Sequence, residues 1–331
     1  MTSTLFGPSS DVEEFSKVLQ SSRRVLALCG AGLSAASGLD TFRGAGGMWR
    51  NHQATTLATP DAFRADPGLV WLFYSYRRHR ALQARPNAGH VALVKLAERM
   101  PDFITLTQNV DGLSQRANHP REQLKLLHGT LFDIKCFNSS CNYVEQDNYN
   151  DPYHPILAIH SAEDDRLAAA KKAADSSTPD RIANMESATT SQTPEGTTRI
   201  DPADLPHCPK CKTGLLRPGV VWFGEGLPAD TLSEIDEWMD RGKVDLIMVI
   251  GTTATVWPAA GYVEDARARG ARVCVVNMDS AELGAAGQLQ TGDFLFEGDA
   301  SKILPELVKS VAGDVESEWQ RYLLGLEGDE R

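Results

Sequence analysis

Residues 25–47 read VLALCGAGLSAASGLDTFRGAGG, and this stretch decides the fold class. Val25-Leu26-Ala27-Leu28-Cys29 is a short, continuous apolar run that suits a strand buried on both faces of a parallel sheet. It breaks into Gly30-Ala31-Gly32 and continues through the small residues Ser34, Ala35, Ala36 and Ser37. A strand feeding a glycine turn and then a helix start is how α/β proteins cradle a pyrophosphate. The glycines let the backbone turn and approach closely, and the helix N-terminus aims N–H groups at the anion. Gly30-x-Gly32-x-x-Ala35 is a loose form of the dinucleotide fingerprint, and alone it does not separate a nucleotide loop from an ordinary turn. A second glycine cluster, Gly44-Ala45-Gly46-Gly47, follows Thr41-Phe42-Arg43 and predicts a mobile loop over the nucleotide in place of a crossover helix.

Other apolar runs end in the same way. Phe103–Thr107 leads into Gln108-Asn109-Val110-Asp111, Leu124–Leu127 into His128-Gly129, Val244–Ile250 into Gly251-Thr252-Thr253, and Arg272–Val276 into Asn277. In an open parallel sheet ligands sit outside the carboxyl ends of the strands, so these polar ends predict one shared site. A last short strand is expected at Phe294–Phe296. Helical spacing predicts helices over 11–22, in much of 48–85, and over 91–99, 228–241, 259–269 and 302–311, with 86–90 as a break. The stretch 145–203 is rich in Ala, Ser, Thr, Asp and Pro, lacks strand patterning, and is expected to be a largely disordered surface insert.

At 331 residues the chain can bury one large core and a small satellite domain. No run approaches the ~18 apolar residues that a membrane span needs. The N-terminus has no apolar signal core, no arginine before Arg23, and three acids at Asp11, Glu13 and Glu14, so neither a secretory signal nor a typical mitochondrial presequence is visible. Six cysteines, two of them inside apparent strands, do not form a disulfide-scaffold pattern. Together these point to a reducing intracellular compartment, cytosol or nucleus before mitochondrion. A formal charge of −11 argues against general nucleic-acid affinity. The excess is local: residues 142–207 hold twelve acids and five bases.

Two cysteine pairs, Cys136/Cys141 and Cys208/Cys211, flank the insert. Such pairs suit one tetrahedral four-thiolate zinc ion, which leaves no open position for water and is therefore structural. It would also staple the two ends of the insert. His128 stands between an apolar segment and Gly129, where it can be either a hydrogen-bonded structural imidazole or a general base facing the site. Asn109 and Asp111 can equally cap a turn or bind a ribose, an amide or water.

In order and spacing, GAGLSAASGLDTFRG, TQNVDGL, LHGTLF, the two cysteine pairs, VVWFGE, GTTATVWP and VVNMD resemble the sirtuin family across about residues 14–312. The resemblance implies an α/β fold: a Rossmann-like open parallel sheet with helices on both faces, a small zinc-ribbon domain and a helical module. It places Rossmann-like parts at about 14–43, 91–133 and 216–312, the helical module at 44–90 and the zinc ribbon at 134–215. An N-terminal tail, 1–13, and a charged C-terminal tail, 313–331, flank this catalytic domain.

The resemblance further implies an NAD-consuming protein-lysine deacylase with acylated-lysine proteins or peptides as partners, no nucleic acid and no membrane. Gly30, Ala31, Gly32, Ser34, Thr41, Phe42 and Arg43 would hold the pyrophosphate and proximal ribose. Gln108, Asn109 and Asp111 would serve the ribose and nicotinamide pocket, with Asn109 also catalytic, and Gly251, Thr252, Thr253, Asn277 and Ala300 would line the adenosine end. His128 would be the general base, and Val221, Trp222, Phe223, Gly224 and Glu225 would pair with the substrate backbone as an added strand. In the implied reaction the acyl oxygen attacks the ribose carbon as nicotinamide leaves, and the products are nicotinamide, free lysine and O-acyl-ADP-ribose. No hydride moves, which agrees with the lack of an acidic residue ~20 positions after the glycine loop.

Tyr74 and Arg77 in FYSYRR are three apart and share a helix face. Arginine offers a fixed fork of donors to a carboxylate and tyrosine adds one hydroxyl. With the small residues Ala54 and Ala58, the pattern resembles the sirtuins that remove succinyl, malonyl and glutaryl groups. A solvated Arg77 beside a core Tyr74 is the plain alternative. The chain departs from the family pattern at Asp40, where proline is usual, and at Met48, Thr253 and Ala300. The readings set against a desuccinylase are a general deacetylase, an ADP-ribosyltransferase from the same site, and an NAD-sensing, zinc-stabilised binding scaffold.

Overall fold

The computed structural model describes residues 7–40, 48–49, 52–158, 200–279 and 283–324. Thr41, Phe42, Arg43 and the second glycine cluster, with the loop expected there, lie outside the described residues, as does most of the 145–203 insert. Two compact units emerge: residues 1–39, 83–130 and 226–331 form one, and residues 40–82 and 131–225 the other.

The first unit is built on six parallel strands. β1 (Val25–Cys29) lies between β4 (Phe103–Thr107) and β9 (Leu246–Ile250); β5 (Leu124–Leu126) continues one side, and β10 (Arg272–Asn277) and β11 (Phe294–Glu297) the other. All five residues of β1 are buried, as a strand covered on both faces requires. Period-two alternation divides them. Val25, Ala27 and Cys29 join Phe15 and Leu19 of α1 (Val12–Ser21), Leu96 of α6 (Ala88–Arg99) and Leu304 of α10 (Ala300–Ala312). Leu26 and Leu28 join Ile235 and Trp238 of α8 (Ala229–Asp240) and Val263 of α9 (Gly261–Ala268) on the other face. From β1 the chain moves first toward β4 and β5, then crosses to β9 and continues outward. The order reverses between β1 and β9, and sheets of this kind bind ligands outside the carboxyl ends of the strands at such a switch point.

Two expectations are corrected here. Residues 86–90 are not all a break: Asn87 caps α6, its side chain accepts from Gly89 N at 2.9 Å, and His90 closes a capping box. Beyond 313 the chain is not simply a charged tail, because α11 (Val315–Leu323) follows an Asp314 cap. Its Val315 is buried, Trp319 Nε1 donates to Pro86 O, and the Tyr322 hydroxyl donates to Arg116 O at 3.1 Å.

The second unit packs α3 (Ala54–Leu57), α4 (Pro60–Ala65) and α5 (Pro67–Gln83) with a three-stranded sheet in the order β7-β6-β8. β6 is Gly129–Cys136, β7 Val144–Glu145 and β8 Leu216–Val220, and a two-residue hairpin of β2 (Met48–Trp49) with β3 (His52–Gln53) adjoins them in sequence. Arg78 of α5 is almost fully buried; its guanidinium donates to Leu131 O, to Asn148 O at 2.9 Å and to Asn150 O at 3.0 Å. Tyr153 stacks on Trp71 at 5.5 Å. The expectation of disorder from 145 onward is therefore corrected for residues 145–158, where the carbonyls of Asn148 and Asn150 are acceptors that the buried guanidinium requires. No helix among the described residues is long and apolar enough to cross a membrane.

Candidate active site and metal centre

The glycine turn after β1 has a packing reason that its sequence does not announce. A Cβ on Gly32 would stand 2.6 Å from the Gly251 Cα, and one on Gly30 would stand 2.5 Å from the Thr252 Cβ. Gly251 itself has φ +58°, and a Cβ there would lie 2.5 Å from Leu33 N. The turns after β1 and β9 thus touch backbone to backbone, joined by Gly32 N–H to Gly251 O at 2.8 Å. Alanine at 251 is expected to destabilise the protein by about 3 kcal/mol in thermal or urea unfolding, since it adds a clash to a left-handed backbone. An unchanged melting temperature would contradict this packing.

Polar groups from three strand ends gather around that contact. Ser34, at the third position of the short α2 (Gly32–Ala35), donates to Asp111 Oδ2 at 2.7 Å. The Asn109 side-chain amide donates to Gly30 O at 3.0 Å and to Ser34 Oγ at 3.2 Å. The Gln108 amide donates to Thr252 Oγ1 at 3.2 Å. The Asp111 carboxylate also accepts from Leu113 N at 2.9 Å, so it ties the start of the short helix α7 (Leu113–Arg116) to Ser34. Of the expected set, Gly30, Gly32, Ser34, Gln108, Asn109, Asp111, Gly251 and Thr252 therefore form one bonded group. Ala31 lies within the turn. Thr253 bonds Thr255 at 3.0 Å, Asn277 ends β10 with its side chain on Met278 N, and Ala300 opens α10, buried.

His128 follows β5, and its Nδ1 lies 3.0 Å from Gln108 O. A carbonyl only accepts, so Nδ1 carries the proton and Nε2 keeps its lone pair as the basic nitrogen. Burial lowers its pKa from the ordinary histidine value, and the bond to Gln108 O opposes part of that shift. The ring is neutral at pH 7, as a general base must be.

His90 also joins this group, although His128 is the histidine that the sequence marks. Its Nδ1 accepts from Asn87 N at 3.3 Å, so Nε2 carries the proton and faces Ser34 Oγ at 3.4 Å. Burial holds it neutral against the raising effect of Asp111. The signal was present in the three-residue spacing of Asn87 and His90, the capping-box spacing.

In the second unit, the Sγ atoms of Cys136, Cys141, Cys208 and Cys211 lie within 4.8 Å of one another, with 3.7 Å between Cys136 and Cys211 and 3.8 Å between Cys141 and Cys208. Thiolates at ~2.3 Å from a tetrahedral zinc stand ~3.8 Å apart, so the donor set fits that ion. Gly214 lets the ribbon turn close: a Cβ there would lie 2.6 Å from Cys136 Sγ, and its N–H donates to Cys211 Sγ at 3.3 Å. Backbone N–H groups of Gly214 and Thr213 draw the Cys211 thiol down to about 6, toward the thiolate a metal requires. Cys141→Ser should abolish one equivalent of bound zinc and lower the melting temperature by several degrees, measured by atomic absorption and calorimetry. Full zinc content in that variant would exclude the four-thiolate site.

Tyr74 and Arg77 lie on α5, Tyr74 buried and Arg77 half-buried with its guanidinium 5.6 Å from the centre of the Phe73 ring. The Tyr74 hydroxyl accepts from Trp222 Nε1 at 2.9 Å. Burial raises its pKa to about 12, and the positive charge of Arg77 partly opposes this, so the two groups share one electrostatic environment. Ala54 and Ala58 are both buried in the same unit.

Val221–Glu225, expected to pair with the substrate backbone, form a turn. Beyond β8 the chain reverses, with Gly224 at φ +88° and Glu225 N donating to Trp222 O at 2.9 Å. Trp222 N donates to Glu225 Oε2 at 2.8 Å and Phe223 N to Ala58 O at 2.9 Å, so three of these five amides are already bonded within the unit. Phe223 is the side chain this turn exposes.

The Sir2 family model matches residues 30–258. An NAD-dependent protein deacylase of Candida albicans is 44% identical over 310 residues, covering 93% of this chain and all of the relative. The NAD-dependent protein deacylase sirtuin-5, mitochondrial, of Canis lupus familiaris is 37% identical over 304 residues, covering 90% of this chain and 85% of the relative. Among solved structures, a Sir2 homolog–NAD complex superposes with a TM-score of 0.66 at 30% identity, covering 95% of this chain and 97% of that one.

Proposed function

The chain belongs to the Sir2 family, and on that premise we propose that it is an NAD-dependent deacylase of protein lysines with a preference for acidic acyl groups: succinyl, malonyl and glutaryl. NAD supplies the ribose carbon that accepts the acyl oxygen as nicotinamide departs. The observation that carries the reading is the placement of a neutral His128, Nδ1–H fixed on Gln108 O, beside the bonded group of Ser34, Asn109 and Asp111. His128 Nε2 takes a proton from a ribose hydroxyl. Asn109 and Asp111 orient the nicotinamide half, and Gly30, Ala31, Gly32 and Ser34 cradle the pyrophosphate. Thr41, Phe42 and Arg43 complete that cradle, and Gly251, Thr252, Thr253, Asn277 and Ala300 bound the adenosine. Tyr74 and Arg77 bind the acyl carboxylate, and Val221, Trp222, Phe223, Gly224 and Glu225 pair with the substrate backbone as it lies along them like an added strand. A reducing intracellular compartment suits six cysteines of which none forms a disulfide; the canine relative bears the name of a mitochondrial protein.

The test is a comparison of acetyl-, malonyl-, succinyl- and glutaryl-lysine peptides at several NAD concentrations. Acidic acyl peptides should be turned over with the higher kcat/KM. Preference for acetyl-lysine would favour the general deacetylase, ADP-ribose on the peptide would favour the transferase, and no nicotinamide release with any peptide would favour the scaffold.

A further inference from the structure

A sealed polar cluster in the second unit lies one bond away from Tyr74. Arg217 is 2% exposed, yet it forks onto Glu225 with Nη1–Oε1 at 2.5 Å and Nη2–Oε2 at 3.0 Å. Its Nη2 also donates to Val220 O at 2.6 Å, and its Cζ sits 3.2 Å from the centre of the Trp222 ring. Glu225 Oε2 accepts the Trp222 backbone N–H as well. Trp222 is thus gripped by ring and backbone, with Phe63 at 5.3 Å and Phe137 at 6.2 Å closing round it.

Burying an ion pair contributes little to stability compared with apolar packing, because desolvation consumes most of the attraction. What this pair does contribute is a fixed position for one donor. The indole has a single polar atom and it only donates, so Tyr74 must be the acceptor in the Trp222–Tyr74 bond. The phenol then has its own proton left to give to another acceptor. Burial holds that proton on at neutral pH.

We propose that Arg217, Glu225 and Trp222 are positioning residues for Tyr74: the clamp holds the indole N–H on the phenolic oxygen and so commits the Tyr74 O–H to donate to the carboxylate of an acidic acyl chain. A neutral acetyl group has no acceptor there and gains nothing from the arrangement. The proposal rests on the acidic-acyl reading.

Trp222→Phe keeps an aromatic ring over Arg217 and deletes the donor. The experiment measures kcat and KM for succinyl- and acetyl-lysine peptides in the wild type, W222F, Y74F and the double variant. W222F should raise the succinyl-lysine KM about tenfold, with kcat changed far less. In the Y74F background it should produce no further fall in the succinyl-to-acetyl ratio, since both changes act through one hydroxyl. Equal loss on both peptides, or effects that multiply in the double variant, would overturn the proposal. If W222F lacks a cooperative melt, Glu225→Gln makes the same comparison by removing the charge that anchors Arg217. A wild type with no succinyl preference overturns the acidic-acyl reading and this proposal together. A wild-type preference that Arg77→Met abolishes and W222F retains overturns the positioning role alone.

Discussion

Alanine at His128 is expected to lower deacylation by about 10²–10⁴-fold, the usual contribution of a positioned general base. The expectation comes from the tautomer. With Nδ1–H donated to Gln108 O at 3.0 Å, only Nε2 can take a proton, and only while the ring is neutral. Burial moves the pKa of His128 below the ordinary histidine value, so the neutral form dominates at pH 7 and the ring becomes protonated only as pH falls. The acid limb of the kcat/KM profile should accordingly have its midpoint below ~6.5 and should vanish in the alanine variant. NAD affinity, read by calorimetry, should change much less than turnover. A variant retaining a tenth of wild-type turnover would remove His128 from the chemistry.

The second large effect is expected at Arg77. Methionine there keeps an unbranched side chain beside Phe73 and deletes the guanidinium with its fork of donors. Two charge-assisted bonds to a carboxylate contribute ~1.5–3 kcal/mol each, so succinyl-lysine kcat/KM should fall by about 100-fold or more. Acetyl-lysine has no carboxylate to lose, and its turnover should hold or rise as an unsuited guanidinium leaves the acyl end. Equal losses on the two peptides would sink the assignment. Stability is a poor guide here, because the cation–π contact with Phe73 contributes only ~0.5–1 kcal/mol.

Much of the fold was legible because burial on both faces leaves a plain trace. β1 and β9 are continuous apolar runs and β4 is fully buried, and their polar ends mark the place where Ser34, Gln108, Asn109 and Asp111 meet. The cysteine pairs were legible for a similar reason, since the chemistry of the metal fixes the spacing. What was lost depended on partners distant in sequence or on a rule outweighed by another. Gly89 beside Pro86 reads as a break, but a reciprocal cap between Asn87 and His90 starts the helix there. The charges of 313–324 mask the spacing of Val315, Trp319 and Tyr322, which pins α11 to the unit. Gly32 reads as room for a phosphate and Gly251 as part of the adenosine end, while each is also required by the other's backbone. Nothing local to Trp222 announces Tyr74, 148 residues away in sequence.

The central claim is that lysine deacylation consumes NAD at a site selective for acidic acyl chains. The most direct measurement follows nicotinamide, free-lysine peptide and O-succinyl-ADP-ribose by mass spectrometry in one reaction of the full chain with NAD and a succinyl-lysine peptide. The account predicts equimolar appearance of all three products, a much slower reaction with the acetyl-lysine peptide, and no nicotinamide without peptide. Free succinate with NAD unchanged, or faster turnover of acetyl-lysine, would contradict it.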